Sequence, residues 1–143
     1  MNVVPVTILL IEDDPGHARL IEKNMRRAGV ANAIIHVSDG TAAMSHLFDR
    51  GDTAKADPVL VLLDLNLPDM SGIDILARIK ADPVLRRTPV IVLTTTDDRG
   101  EIQRCYDLGC NVYMTKPVEY EGFAAAIRQL GLFLSVMQVP ELA

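Results

Sequence analysis

Hydrophobic residues along this chain follow two patterns, short continuous runs and longer periodic segments. Five runs rich in Val, Ile and Leu predict β-strands at residues 6–11, 33–37, 59–63, 90–93 and 111–113. The first, third and fourth runs are almost uninterrupted, which is typical of strands covered on both faces of a parallel sheet. We therefore expect these three strands to form the buried centre of the molecule.

Between and after these runs, apolar residues recur every three or four positions and predict five helices. Asp14 followed by Pro15 is a typical helix start, Gly29 and Gly109 are typical helix ends, and Pro83 cannot continue a helix. The predicted helices cover residues 15–28, 40–50, 71–81, 98–108 and the segment from about residue 119 onward. Alternating strands and helices predict an α/β fold, with a doubly wound, five-stranded parallel sheet joined by right-handed crossovers.

Composition narrows the class of protein. The chain has 143 residues, of which 49% are apolar and 23% charged, and this fits one compact domain. A net charge of −5 without any basic run argues against a nucleic-acid partner. No apolar run approaches the ~18–20 residues of a membrane span, so we expect a cytoplasmic protein without a membrane partner. Cys105 and Cys110 are expected to be reduced thiols.

Polar residues collect where the predicted strands end. Glu12 and Asp13 follow the first strand, Asp64 the third and Thr94 the fourth, and Lys116 lies just beyond the fifth. If the strand order is 2-1-3-4-5, as in flavodoxin-like sheets, these residues meet at the edge where open α/β sheets bind ligands. Three carboxylates repel one another unless a cation joins them, and Mg²⁺ prefers such oxygen ligands. With hydroxyl and ammonium donors beside them, they indicate a site that receives a phosphoryl group on an aspartate.

The three histidines, His17, His36 and His46, share no spacing with these acids. A histidine can act as an acid, a base or a metal ligand when such groups surround it. Without that context we expect all three to be structural or exposed to solvent.

Four segments together resemble the receiver domain of two-component response regulators. They read ILLIEDDP at residues 8–15, LLDLNLP at 62–68, PVIVLT at 89–94 and YMTKP at 113–117. One motif alone would be weak, whereas four in this order, within about residues 5–130, make the resemblance specific. The resemblance implies a signalling protein and not an enzyme: a sensor histidine kinase delivers a phosphoryl group to one aspartate of the receiver.

The resemblance also implies a role for each matching acidic position. Asp64 corresponds to the phosphoacceptor, and Glu12 and Asp13 correspond to the acidic pair that binds Mg²⁺. Asp64 itself and the backbone carbonyl of Asn66 complete the protein's share of the metal coordination.

The remaining motif positions correspond to residues that respond to the phosphoryl group. Thr94 and Lys116 match the residues that hold the phosphoryl oxygens, and Tyr113 matches an aromatic switch residue that turns as Thr94 moves. The peptide bond between Lys116 and Pro117 is expected to be cis, which an X-Pro bond adopts at a cost of only ~1 kcal/mol.

Three other functions share part of this pattern. An aspartate-based phosphatase of the haloacid dehalogenase type places a second Asp two residues after its nucleophile, where this chain has Asn66, which cannot transfer a proton. A flavin-binding protein of the flavodoxin type needs a phosphate cradle after the first strand, where Glu12, Asp13 and Asp14 would repel the phosphate. A binding module that keeps the fold without phosphorylation remains the main alternative.

The C-terminal segment is unusually apolar. No charged residue occurs between Arg128 and Glu141, so we divide the chain into a receiver domain at residues 1–130 and an extension at residues 131–143. A helix that is apolar on every side needs a partner surface, and a second copy of the chain is the simplest one, although the extension could fold back on its own sheet. The predicted dimer residues are Leu132, Phe133, Leu134, Val136, Met137 and Val139.

This extension contributes to a second resemblance, to a narrower group of proteins. Together with DPVLRRTP at residues 82–89 and LTTTD at residues 93–97, it resembles stand-alone receivers that partner phytochrome-type histidine kinases and are often dimeric. That likeness implies a light-sensing kinase as the phosphoryl donor.

Overall fold

A five-stranded parallel sheet forms the centre of the computed structural model, which describes residues 6–49 and 58–134. The strand order is β2-β1-β3-β4-β5, which confirms the predicted order 2-1-3-4-5. Each observed strand lies within a residue or two of its predicted range. The strands are β1 (Thr7–Ile11), β2 (Ile34–Val37), β3 (Val59–Leu63), β4 (Val90–Thr94) and β5 (Val112–Thr115).

Five helices connect and cover these strands, as the periodicity predicted. They are α1 (Pro15–Arg27), α2 (Gly40–Phe48), α3 (Gly72–Ala81), α4 (Arg99–Leu108) and α5 (Tyr120–Leu134). A short 3₁₀ helix at Leu85–Arg87 was not predicted. It forms because the Asp82 carboxylate accepts hydrogen bonds from the backbone N–H groups of Val84 and Leu85, at 2.8 and 2.9 Å.

The sheet separates two apolar cores. Alternate residues of β3 point to opposite faces, so that Val61 and Leu63 pack with α2, α3 and α4, whereas Leu60 and Leu62 pack with α1 and α5. All five residues of β3 are buried, as are all five of β4, in agreement with their continuous apolar sequence. The molecule is therefore a three-layer α/β structure in which the strands β3 and β4 are buried between the helices.

Side-chain caps fix where the helices begin. Asp14 accepts hydrogen bonds from the N–H groups of Gly16 and His17, Ser71 caps α3, and Asp98 caps α4. Gly109 ends α4 with a φ of 109°, a left-handed conformation that favours glycine. The caps at Asp14 and Gly109 confirm the start and end signals that were read from the sequence at these two positions.

The C-terminal helix crosses the predicted domain boundary. Helix α5 continues through residue 130 to Leu134, and Gly131 lies so close to α1 that an added Cβ atom would be 2.7 Å from the Cβ of Ala28. Residues 135–143, including the predicted dimer residues Val136, Met137 and Val139, lie outside the described residues. The division of the chain at residue 130 stays a prediction.

Candidate functional site

Four strand ends bring the predicted site residues together. Glu12 follows β1, Asp64 follows β3, Thr94 ends β4 and Lys116 follows β5, and all four side chains are buried. The parallel register extends to these positions, because the N–H of Asp64 donates to the Ile11 carbonyl at 3.0 Å and that of Lys116 donates to the Thr94 carbonyl at 2.7 Å. Continued sheet pairing thus places an acid, a hydroxyl and an ammonium group side by side.

The Asp64 carboxylate is held by donors on both of its oxygens. Its Oδ1 accepts hydrogen bonds from the Thr94 hydroxyl at 3.1 Å and from the backbone N–H of Asn66 at 3.0 Å. Its Oδ2 accepts a hydrogen bond from Lys116 Nζ at 3.1 Å. These bonds fix the orientation of the carboxylate at the end of a rigid, buried strand.

Lys116 balances part of the negative charge of the site. Its Nζ donates to Glu12 Oε1 and Asp64 Oδ2, and it lies 3.2 Å from Nδ1 of His17. The same ammonium lies 6.0 Å from the centroid of the Phe123 ring on α5. One lysine therefore links the residues that follow β1 and β3 with residues of α1 and α5.

Three carboxylates form a cluster that fits a divalent cation. One carboxylate oxygen from each of Glu12, Asp13 and Asp64 lies within 4.8 Å of the others. Burial raises the pKa of Glu12 to about 7; the hydrogen bond from Lys116 works against this rise, and the Asp64 carboxylate adds to it. A single ammonium leaves this acidic cluster electrostatically unbalanced, and Mg²⁺ favours a set of oxygen ligands of this kind.

Asp13 and Asn66 complete the predicted metal ligands. Asp13 is exposed to solvent, whereas the neighbouring Glu12 is buried. An ion from the solvent could therefore enter the site beside Asp13. The side chain of Asn66 donates a long hydrogen bond to Thr94 Oγ1, at 3.4 Å. The role of the Asn66 carbonyl in metal coordination stays a prediction.

Tyr113 lies outside the polar cluster, on the neighbouring edge strand. Its hydroxyl donates to the backbone carbonyl of Thr96 at 2.6 Å, in the loop between β4 and α4. Burial raises the pKa of this hydroxyl to about 12. The backbone N–H of Tyr113 donates to the hydroxyl of Tyr106 on α4 at 3.1 Å. The ring thus connects β5 to the loop that follows Thr94, and its role as a switch stays a prediction.

The expectation of a cis peptide bond before Pro117 is wrong for this structure. No cis peptide bond occurs in residues 6–49 and 58–134, so the bond between Lys116 and Pro117 is trans. The two isomers of an X-Pro bond differ by only ~1 kcal/mol, so a motif alone does not determine which one is formed.

The structure adds His17 to the site, although the sequence pattern predicted this residue to be structural or exposed to solvent. His17 lies in the first turn of α1, directly after the acidic loop, and this position brings its ring to Lys116 and against Phe123. Its sequence position one turn beyond Asp13 was a signal for this proximity, because the N-terminus of α1 starts at the same sheet edge as the acids. His36 uses Nε2 to contact the Glu12 backbone carbonyl at 2.7 Å and thus has the expected structural position.

Comparison with known proteins identifies the family. The sequence model of the response regulator receiver domain family matches residues 8–128, which is most of the chain. This chain therefore belongs to the response regulator receiver family, and the resemblance read from its four motifs is confirmed.

Solved structures and curated proteins agree with this assignment. A response regulator receiver domain from Rhodospirillum rubrum is 67% identical, with a TM-score of 0.90, over 95% of this chain and 98% of that one. The phosphorylated cyanobacterial phytochrome response regulator RcpA is 38% identical, with a TM-score of 0.85, over 94% of this chain and 98% of its own.

A third relative carries the name Rcp1. Response regulator Rcp1 of Synechocystis is 40% identical over 78% of this chain and 77% of its own length. A structure of the Mn²⁺-bound form of a response regulator Rcp1 has a TM-score of 0.86 and 34% identity, over 95% of this chain and 99% of that one. Relatives of this chain are thus described as phosphorylated and as bound to a divalent metal.

Proposed function

We propose that this receiver accepts a phosphoryl group on Asp64 from a sensor histidine kinase and thereby changes its contacts with other proteins. The observation that carries the proposal is the arrangement of Asp64, whose carboxylate lies between the Thr94 hydroxyl and the Lys116 ammonium at the edge of an acidic cluster. Donors on both sides of a nucleophilic carboxylate are suited to hold the oxygens of an incoming phosphoryl group.

Mg²⁺ is the cofactor we assign to this reaction. Glu12, Asp13 and Asp64 would hold it with their carboxylates, together with the carbonyl of Asn66. When bound, the ion would offset negative charge on the phosphoryl oxygens during transfer. A structure of Rcp1, a relative of this chain, is described as Mn²⁺-bound, which supports a divalent cation as the cofactor.

The chemical step uses the residues of this chain as follows. An oxygen of Asp64 attacks the phosphorus, a phosphorus–oxygen bond forms, and the bond to the kinase histidine breaks, so that its electron pair returns to the imidazole nitrogen. Lys116 and Thr94, which both donate to Asp64 before the reaction, then donate to phosphoryl oxygens. Apart from transfer to Asp64 and later hydrolysis, no substrate is turned over, and the protein is a switch and not an enzyme.

The switch would act through the face formed by α4, β5 and α5. Movement of Thr94 toward the phosphoryl group would shift the loop that follows Thr94. This loop carries Thr96, whose backbone carbonyl accepts a hydrogen bond from the Tyr113 hydroxyl. A change in the position of Tyr113 would then alter the packing of β5 against α4, because the backbone N–H of Tyr113 donates to the hydroxyl of Tyr106 on α4. Phosphorylation in this scheme shifts the population between two arrangements of one surface.

The donor we infer is a phytochrome-type histidine kinase in the cytoplasm. RcpA, which is similar to this chain over nearly its whole length, is described as a phytochrome response regulator. None of the described helices is both long and apolar enough to cross a lipid bilayer.

The second surface we propose is a homodimer interface on α5. Leu132 and Phe133 are 60% and 52% exposed near the end of this helix, and Leu134 packs in part on the α1–α5 core. Beside them lies a shallow cavity of about 320 Å³, mostly lined by apolar side chains of β5 and α5. Such a patch is expected to be covered by a partner, and a two-fold related copy presents the same patch.

Phosphorylation of the purified protein tests the main proposal. A small acyl phosphate donor with Mg²⁺ is expected to add one phosphoryl group, detected as a mass increase that alkali removes. Asp64→Asn is expected to abolish the addition, whereas Asp74→Asn, which changes an exposed carboxylate on α3, is expected to leave it unchanged. Equal labelling of the Asp64→Asn variant would exclude Asp64 as the acceptor, and an unlabelled parent protein would favour a phosphorylation-independent binding module.

A further inference from the structure

His17 contacts the lysine of the site from the solvent side. It lies in the first turn of α1, its side chain is 38% exposed, and its Nδ1 lies 3.2 Å from Lys116 Nζ. The edge of its ring meets the ring of Phe123, with centroids 5.3 Å apart and planes at 82°. This aromatic contact holds the imidazole in place, with Nδ1 turned toward the ammonium group.

The contact with Lys116 indicates the role of Nδ1 in this hydrogen bond. A lysine ammonium has three protons and no lone pair, so Nδ1 can bond to it only as an acceptor. The proton of the neutral ring must then reside on Nε2. The nearest carboxylate oxygens of Glu12 and Asp14 lie 4.0 and 3.9 Å from Nδ1, beyond hydrogen-bond distance.

All three protons of the Lys116 ammonium therefore have an acceptor within the protein. Two acceptors are the carboxylates of Glu12 and Asp64, and the third is the uncharged His17 ring. Hydrogen bonds from an ammonium to a carboxylate are stronger than those to an uncharged acceptor. A phosphoryl oxygen that needs a proton of Lys116 will consequently displace His17 first.

We propose that His17 is a positioning residue that holds the third ammonium proton of Lys116 until a phosphoryl oxygen replaces it. The inference rests on the proposed function, because it assigns the replacement to the phosphoryl group on Asp64. His17 then competes with the phosphodonor for Lys116, and its removal strengthens donor binding. The bonds from Lys116 to Glu12 and Asp64 keep the ammonium beside Asp64 while the donor binds.

Two substitutions distinguish the contribution of the acceptor atom of His17 from that of its ring. His17→Phe keeps an aromatic ring against Phe123 and removes Nδ1. His17→Asn removes the ring and places an amide oxygen at the same number of bonds from the backbone as Nδ1. Because the residue is partly exposed, neither change leaves a cavity in the core.

The first measurement uses the metal-free protein and does not depend on phosphorylation. Lysine ammonium protons that are buried and bonded exchange slowly with water, and ¹⁵N NMR of the Nζ group detects them. The Lys116 signal, assigned by its loss in Lys116→Arg, is expected to exchange about fivefold faster or more in His17→Phe, as one lost hydrogen bond implies, and at nearly the parent rate in His17→Asn. Unchanged exchange in His17→Phe, or equal acceleration in both variants, would overturn the assignment.

The second measurement follows labelling by a small acyl phosphate with Mg²⁺. His17→Phe is expected to lower the half-saturating donor concentration about fivefold, with the rate at saturation within about twofold, because one competing hydrogen bond is lost. His17→Asn is expected to match the parent protein. A half-saturating concentration that is unchanged or higher in His17→Phe refutes the competition. Absence of labelling in the parent protein refutes the proposed function, whereas the NMR measurement decides separately whether His17 holds Lys116.

Discussion

At the scale of single residues, the site is defined by an imbalance of charge. Glu12 is only 1% exposed and lies beside Asp64, so its charged form is costly, which is the reason that its pKa rises to about 7. Lys116 compensates for one charge and leaves the acidic cluster short of positive charge. A buried ion pair with a surplus carboxylate contributes little to the stability of the fold. It is well suited to bind a cation.

Thr94 provides a prediction at this scale. Replacement of Thr94 by Val keeps the shape of the buried side chain and removes the hydroxyl that donates to Asp64. We expect the rate of phosphoryl labelling to fall on the order of 10–100-fold, because one hydrogen bond to the charged phosphoryl oxygens is lost. Thr94→Ser retains the hydroxyl and is expected to stay close to the parent rate. Labelling of Thr94→Val at the parent rate would remove this hydroxyl from the proposed reaction.

At the scale of elements, the segment between β3 and α3 determines how Asp64 is presented. Gly72 packs so tightly under this segment that an added Cβ atom would lie 2.5 Å from the Asp64 carbonyl oxygen. Asn66 pairs with Ser71 in an isolated antiparallel bridge, which closes the loop. The loop is also tied to α2, since the Asp69 carboxylate accepts hydrogen bonds from the N–H groups of Gly40 and Thr41, at 2.7 and 2.8 Å.

Asp69 gives a prediction for the dependence of stability on pH. The bond from the Thr41 hydroxyl, and then that from the Gly40 N–H, hold the pKa of this carboxyl at about 2, below its ordinary value of 3.8. A depressed acid pKa contributes stability above pH 3.8, and this contribution is lost as the pH falls through about 2. We expect Asp69→Asn to lower the denaturation midpoint at neutral pH and to flatten its decline between these two values.

Denaturant unfolding at a series of pH values measures this effect. Asp74→Asn, on the exposed side of α3, serves as the control and is expected to follow the parent curve. An Asp69→Asn curve that declines in parallel with the parent curve over this acidic range would show that the link between the loop and α2 adds no stability.

At the scale of the whole molecule, α5 connects the site to the apolar surface. Its first turns place Phe123 against His17 and near Lys116, and its last turn exposes Leu132 and Phe133. Ten residues of helix separate Phe123 from Phe133, a distance of about 15 Å along the axis. The helix also packs along α1, through Gly131 and a hydrogen bond of 2.9 Å from Arg128 to buried Asn24.

The oligomeric state tests the role of this surface. We expect the parent protein to sediment as a dimer, and the double change Leu132→Lys with Phe133→Lys to raise the dissociation constant about a hundredfold or more, because two apolar side chains lose their buried surface. Val118→Lys alters an equally apolar, fully exposed residue between β5 and α5 and serves as a matched control. A parent protein that sediments as a monomer would favour the alternative in which the extension folds back on its own sheet.

Much of the fold follows from local patterns in the sequence. Continuous apolar runs at β3 and β4 correctly predicted buried parallel strands, because such strands are covered on both faces. Asp14 and Gly109 marked helix ends correctly, because capping depends on a few adjacent residues. The grouping of Glu12, Asp64, Thr94 and Lys116 was also predictable, since each lies at the end of a parallel strand and such ends share one edge.

Contacts between distant elements were decided only by the tertiary structure. The sequence by itself determined which segments form strands and helices and which polar residues follow the strands, because these depend on the local hydrophobic period and on a few adjacent residues. It did not reveal that His17 bonds to Lys116, or that Asp69 binds the first turn of α2, because each pair is far apart in the chain. Such partners are selected by how helices pack on the sheet, and packing depends on the shapes of many side chains at once.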